Sequence, residues 1–221
     1  MVGRFCYIIL LLVSLLTIAP HEAGAVQGKV LTATVGHVSD EVVTSREVQI
    51  NYLVEKALYG KGRSNRSIPP LEWGHKNFPR EVNGVLLEWV VHLEAKNFAA
   101  TKVTSLDVDK AEKTVREKLR SHSQWAQLGV TRKELRLLLD RKIRAKNFIQ
   151  FKAQTSVVPV TDDEAQDYFE KNRLKFGNFP FDKFKSNIKS FLSRQQVDRR
   201  LKDWFEVLQA KYKVRNLLVE M

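Results

Sequence analysis

The residues able to do chemistry are few and scattered. Beyond the first 25 residues the histidines are His37, His75, His92 and His122, with no i,i+4 pair and no carboxylate cluster beside them. A zinc protease needs H-E-x-x-H, and serine hydrolysis needs a G-x-S-x-G turn or a comparable Ser, His and Asp set; neither is present. Each histidine is therefore expected to be structural or solvated. No G-x-x-x-x-G-K-[ST] loop and no G-x-G-x-x-G turn occurs, so no nucleotide and no cofactor is expected. Cys6 is the only cysteine, which excludes a disulfide framework and a multi-cysteine metal site within one chain. Asp162, Asp163 and Glu164 form an acidic run. They follow Thr161 at a helix start, where the macrodipole favours acidic residues, so capping is the expected role and acid–base chemistry the lesser alternative.

Two other features remain open to function. Basic residues cluster at 132–146, including Arg132, Arg136, Arg141 and Arg144, and again at Arg194, Arg199, Arg200 and Lys202. These read either as solvated helix faces or as an electrostatic rim for an anionic partner. Large aromatics lie in or near connectors at Trp73, Phe78, Trp125, Phe176 and Phe179. Such residues anchor helix ends to a core or, where exposed, make an apolar contact patch; Trp73, Phe78 and Trp125 are the candidate peptide-binding residues.

The elements that must position these groups are mostly helical. Residues 29–43 read as a β-hairpin, with Gly36-His37 and Ser39-Asp40-Glu41 as turn signals. Capping boxes at Thr44/Glu47, Thr131/Glu134 and Thr161/Glu164 open helices reaching about Tyr59, Lys152 and Arg173. Residues 60–78, with Gly60, Gly62, Pro69, Pro70 and Gly74, show no apolar period and are expected to form a mobile surface loop. Pro79 suits the first turn of a helix apolar almost all round, the expected centre of the domain. Gly84 within that helix suggests close approach of a neighbouring backbone. An amphipathic helix runs from Asp107 to Arg120, and Trp125 and Leu128 sit in a short turn closed by Gly129. A last helix at 181–211 turns Phe184, Ile188, Phe191, Leu192, Val197, Leu201, Trp204, Phe205 and Leu208 inward. Residues 213–219 form a strand whose natural partner is the N-terminal segment 31–35. The fold class is thus mainly α, with a small β element joining the two ends.

The chain has 221 residues and 25.5 kDa, 43% hydrophobic and 28% charged, which excludes a disordered or collagenous protein. Arg4, the apolar run 5–18, Pro20 and Ala23-Gly24-Ala25 match the order of a secretory leader, with cleavage expected after Ala25 and periplasmic export. A retained anchor is the alternative, although the apolar run is shorter than a bilayer span requires. Residues 26–221 then form one module, with residues 157–221 closing it. Its net charge of +12 is carried from Lys110 onward, where 26 basic residues face 14 acidic ones.

Residues 30–52, with Ala33-Thr34-Val35, Glu41-Val42-Val43-Thr44 and the Ser45-Arg46-Glu47-Val48 helix start, resemble the opening of SurA-like periplasmic chaperones. The segment Val160-Thr161-Asp162-Asp163-Glu164-Ala165-Gln166-Asp167-Tyr168-Phe169-Glu170-Lys171-Asn172 is similar to the V-T-x-x-E-x-x-x-Y-[YF]-E-x-N stretch of that family's N-terminal chaperone domain. Pro180-Phe181 and the long final helix ending in a strand are similar too. The resemblance runs from about residue 30 to 218 and is loose over 60–78. Full-length members carry a parvulin-type prolyl isomerase domain between the Y-[YF]-E-x-N helix and the final helix. Here only residues 174–180 lie between them, too few for a domain.

The resemblance implies a chaperone module without its isomerase, hence no enzymatic activity. The expected function is ATP-independent holding of unfolded or nascent envelope polypeptides, outer-membrane proteins among them. The alternative is an exported basic protein that binds an anionic polymer or lipid surface electrostatically. Export makes nucleic acid a rare partner.

Overall fold

A computed structural model describes residues 32–60, 68–98 and 102–219. The expected leader and its cleavage point lie outside the described residues. Strands β1 (Thr34–Val38) and β2 (Glu41–Thr44) form an antiparallel hairpin, and β3 (Arg215–Asn216) pairs antiparallel with the other edge of β1, giving the order β2-β1-β3. The turn is Ser39-Asp40, with Ser39 at φ 52°. Gly36-His37, expected in a turn, lies instead inside β1. A side chain at Gly36 would sit 2.7 Å from the Arg215 carbonyl oxygen and 2.9 Å from Leu86 Cδ2, so glycine here permits β3 and the helix beneath to close on β1.

Seven α-helices follow among the described residues: α1 (Ser45–Tyr59), α2 (Phe78–Asn97), α3 (Ser105–Leu119), α4 (Ser123–Leu128), α5 (Arg132–Thr155), α6 (Asp162–Lys171) and α7 (Lys185–Lys211). Thr44, Thr104, Thr131 and Thr161 each accept a hydrogen bond from the backbone amide three residues on, satisfying a donor at the helix start. The boxes at Thr104/Asp107 and Thr161/Glu164 are reciprocal. Those expected at Thr44/Glu47 and Thr131/Glu134 are half-formed, because Glu47 turns to Trp89 and Arg141 while Glu134 turns to Arg46. The residues of the expected Trp125 turn make the full helix α4, ended by Gly129 at φ 56°.

Among the described residues, apolar burial falls into four clusters. The first packs the sheet, through Val35, Val38 and Val43, onto α2 and Leu208 of α7. The second joins α1, α3 and α5 through Leu53, Val54, Val115, Leu119, Leu135 and Leu139, with Trp125 of α4 against it. In the third, Val91 and Ala95 of α2 meet Ala145 and Phe148 of α5 and the rings of Trp204 and Phe205. The fourth joins α6 to the start of α7 through Ala165, Phe169 and Ile188, ringed by Phe176, Phe181 and Phe184.

Several expectations are corrected. Among the described residues, Gly84 has no atom of another segment within 4 Å of where a side chain would begin, so none of their backbone approaches it. The described part of the 60–78 loop is fastened. The Leu71 amide donates to Gln124 Oε1 at 2.9 Å, its carbonyl accepts from Gln124 Nε2 at 2.7 Å and Gln49 Nε2 at 3.0 Å, and its side chain is buried. On α7 only Ile188 and Leu208 are buried; Leu192, Val197 and Leu201 are half-buried, and Phe191 is 42% exposed.

The two ends of the described fold meet, but the strand expected over 213–219 shrinks to Arg215–Asn216 and stands in register with Gly36 and His37 rather than with 31–35. Tyr212 reinforces the closure: its hydroxyl donates to Glu94 at 2.7 Å and its carbonyl accepts from the Ser39 amide at 2.7 Å.

Candidate functional site

His122, His92 and Asp162 are held in structural roles. The His122 Nδ1 accepts from the Trp125 amide, capping α4; its proton must then lie on Nε2, which donates to the Ile68 carbonyl at 2.7 Å. His92 is buried on α2 with its ring edge-on to Trp89 and no partner for Nδ1. Burial first, then the charges of Lys96, Arg141 and Arg144, hold its pKa down to about 4, against an opposing effect of Asp140. Asp162 receives Lys185 at 2.6 Å and also pairs with Lys189, which lowers its pKa. Among the described residues no group of three or more His, Cys, Asp or Glu is placed to hold a metal.

The basic residues expected to form a rim are largely consumed by internal pairing. Arg132 reaches Glu112 at 2.8 Å, and Arg136 reaches Asp109 at 2.6 Å and Glu112 at 2.7 Å. Arg144 pairs with Asp140 at 3.1 Å. Arg141 is not on a rim at all. It is 7% exposed, stacks on Trp89 at 4.1 Å, and meets Glu88 at 2.8 Å and Glu47 at 2.7 Å. Lys142 beside it donates to Glu88 and Glu55, each at 2.7 Å. Burial pushes the Glu88 carboxyl up, but the combined pull of Lys142 and Arg141 leaves it below the ordinary carboxylate range. Five charged side chains and an indole thus bolt α1, α2 and α5 together.

The three aromatics chosen from the sequence are not brought together as one patch. Trp73 is 49% exposed, and its ring lies 5.2 Å from that of Phe78. Phe78 itself is 1% exposed, a correction to the expectation that it contacts a partner: as the first residue of α2 it plugs the cluster beneath the sheet. Trp125 is half-buried against the α1/α3/α5 cluster.

A partly open aromatic surface lies elsewhere, where the end of α2 and the second halves of α5 and α7 converge. Phe148, 1% exposed, forms its floor. Around it stand Phe98 at 5.6 Å, Phe151 at 6.1 Å and Trp204 at 5.8 Å between ring centroids, with Phe205 5.0 Å beyond Trp204. Phe98 is 50% exposed and Phe151 38%, while the Lys152 ammonium hangs 5.5 Å over Trp204. The exposed Val157 and Val158 follow α5, and Arg200 of α7 reaches back to the Ser156 carbonyl at 3.1 Å. From there the half-buried Leu201 and Val197, one turn apart, continue the apolar face along α7, while Leu192 lies on the opposite side of the helix against the α6 cluster. Apolar side chains therefore remain open to water along one side of α7, with cations beside them.

Sequence reasoning missed Phe98 and Phe151 as surface residues because each occurs in or next to a helix, where an aromatic is expected to face the core; Trp204, expected inward, is half-buried against two of the clusters. Phe151 falls off the Leu135, Leu138, Leu139, Ile143, Ile149 stripe of its own helix, but so does the buried Phe148, so the stripe alone does not tell rim from floor. No protein-family model matches the chain, and no curated protein matches it in sequence.

Proposed function

We propose that the chain is an exported, ATP-independent chaperone that holds unfolded envelope polypeptides and catalyses no reaction. The supporting observation is the aromatic surface of Phe98, Phe151 and Trp204, continued by the half-buried stripe of α7. An unfolded client covers such a surface with its own apolar side chains, gaining roughly 25 cal/mol for each Å² taken from water before ordering costs are subtracted. A shallow open surface of this kind favours broad, reversible contacts over a single sequence. The resemblance of residues 30–52 and 160–172 to SurA-like chaperones points the same way. The segment 174–180, in place of a catalytic insertion, is the reason for proposing holding without prolyl isomerisation.

The deciding experiment follows light scattering of a denatured outer-membrane protein diluted into buffer with increasing amounts of the chain. Suppression that weakens in a Phe98→Asp/Phe151→Asp double variant supports the reading. No suppression at several-fold molar excess overturns it. Sequencing the N-terminus of exported material tests removal of residues 1–25, the part of the proposal that concerns periplasmic location.

A further inference from the structure

The tip joining α6 to α7, residues 171–183, concentrates apolar exposure and positive charge in one short segment. Leu174 is 99% exposed and Phe179 50%. The exposure is built into the backbone. A 3-10 turn, Arg173–Lys175, presents Leu174, and the Lys175 amide donates back to the Asn172 carbonyl at 2.8 Å. Arg173 Nη1 donates to the Phe179 carbonyl at 2.7 Å, closing the loop on itself through Gly177 at φ 58°. Beneath, Phe176 lies 4.9 Å from Phe169 and 5.1 Å from Phe184. The apolar interior a few residues away accepts Phe176, Phe181 and Phe184, and the turn leaves Leu174 outside it.

The charge at the tip is equally one-sided. Lys171, Arg173, Lys175 and Lys183 are opposed within the segment only by Asp182. Among the described residues none of these cations meets a carboxylate at ion-pair distance, whereas Lys185 and Lys189, next along the chain, are tied to Asp162. Arg173 sits 4.7 Å over the Phe169 ring and Lys183 3.7 Å over the Phe179 ring, which keeps both cations beside the apolar side chains. A projecting leucine encircled by unneutralised cations suits the boundary of an anionic bilayer. There the cations meet headgroup phosphates while the leucine enters the acyl layer. No helix among the described residues is long and apolar enough to cross a membrane, so the contact is peripheral.

We infer that this tip docks the protein on anionic lipid bilayers, with Leu174 as the inserted anchor, Phe179 beside it, and Lys171, Arg173, Lys175 and Lys183 on the headgroups. The inference is independent of client holding, which is assigned to the Phe98, Phe151 and Trp204 end of α7.

The test is co-sedimentation with phosphatidylcholine vesicles, with and without phosphatidylglycerol. It uses the chain from residue 26 onward, which contains the whole of the compact unit Leu31–Met221 and its four apolar clusters. Binding should require phosphatidylglycerol and weaken as salt shortens the Debye length. Leu174→Asp should lower the partition coefficient by about 10-fold, the value of one buried leucine side chain, and Leu174→Phe should restore it. Lys175→Glu/Lys183→Glu should abolish the preference for anionic vesicles. Equal binding to vesicles of phosphatidylcholine alone, or unchanged binding of Leu174→Asp, overturns the inference. Because Leu174 is fully exposed, its variants keep the fold, and the Leu174→Asp chain should still suppress client aggregation.

Discussion

The Trp89 indole donates to Glu47 Oε1 at 2.8 Å, so the carboxylate that local sequence assigns to the start of α1 is spent on α2 instead. Arg141 of α5 joins the same oxygen at 2.7 Å and sits 4.1 Å over the Trp89 ring. One oxygen therefore couples three helices, and Glu88, the residue before Trp89 in α2, likewise links them through Arg141, Lys142 and Asn51.

Removing Glu88 tests what that coupling is worth. Arg141 is 7% and Lys142 6% exposed, so Glu88→Ala leaves two buried cations short of a partner and should destabilise the fold by about 3–5 kcal/mol. Replacing the set together, Glu88→Leu with Arg141→Met and Lys142→Met, should be neutral or stabilising, since it removes the desolvation cost along with the attraction. Urea midpoints by circular dichroism read both. A small loss in the single variant would mean that water reaches the network.

His92 predicts how stability depends on pH. Its pKa in the fold, about 4, lies below the unfolded value near 6.5, so the unfolded chain binds the extra proton first. The stabilisation is complete above pH 6.5 and is lost as pH falls towards 4. Glu88 acts with the same sign at lower pH, because its depressed pKa favours the fold only while the unfolded carboxyl is ionised. His92→Leu should change stability little at pH 7, where the ring is neutral and Nδ1 has no partner to lose. It should flatten the fall between pH 6.5 and 4. Urea midpoints at several pH values, taken on both chains, decide whether His92 carries that slope.

Much of the fold was legible because its signals are local. Thr44, Thr131 and Thr161 mark helix starts by their own amide geometry, and the apolar end of the chain hinted at a strand, of which only Arg215–Asn216 forms. What was hidden depends on distant chain. Glu88 and Arg141 are 53 residues apart in sequence, and no spacing rule joins them. Leu71 sits in a segment without periodicity, yet Gln49 and Gln124 fasten it from two helices. The Thr104 cap escaped because its box closes with Asp107 in place of the usual Glu. The aromatic surface escaped for a different reason. Phe148 and Phe151 are neighbours on one helix, and only the third dimension separates the floor from the rim.

Gly36 and Gly84 form a matched pair. Gly36→Val drives a side chain against the Arg215 carbonyl and Leu86, and should cost about 1–3 kcal/mol while exposing the chain beyond Tyr212 to protease. Gly84→Ala meets nothing in the exposed interior of α2 and should raise stability by about 0.5–1 kcal/mol. Thermal unfolding and limited proteolysis separate the two. Equal behaviour of both variants would contradict the closure of β3 on β1.

The rim of the aromatic surface separates client contact from packing. Phe98 and Phe151 are half-exposed, so Phe98→Asp and Phe151→Asp should leave the unfolding midpoint nearly unchanged, whereas Phe148→Ala at the floor should cost about 3–5 kcal/mol. Suppression of client aggregation should fall in the two rim variants despite their intact fold. Because apolar contact is screened far less than charge, the parent's activity should persist when moderate salt is added. Charge-driven association with an anionic polymer fails in the same buffer. Rim variants with full activity, or a parent silenced by salt, would move the working surface away from Phe98 and Phe151 and onto the charged faces of the helices.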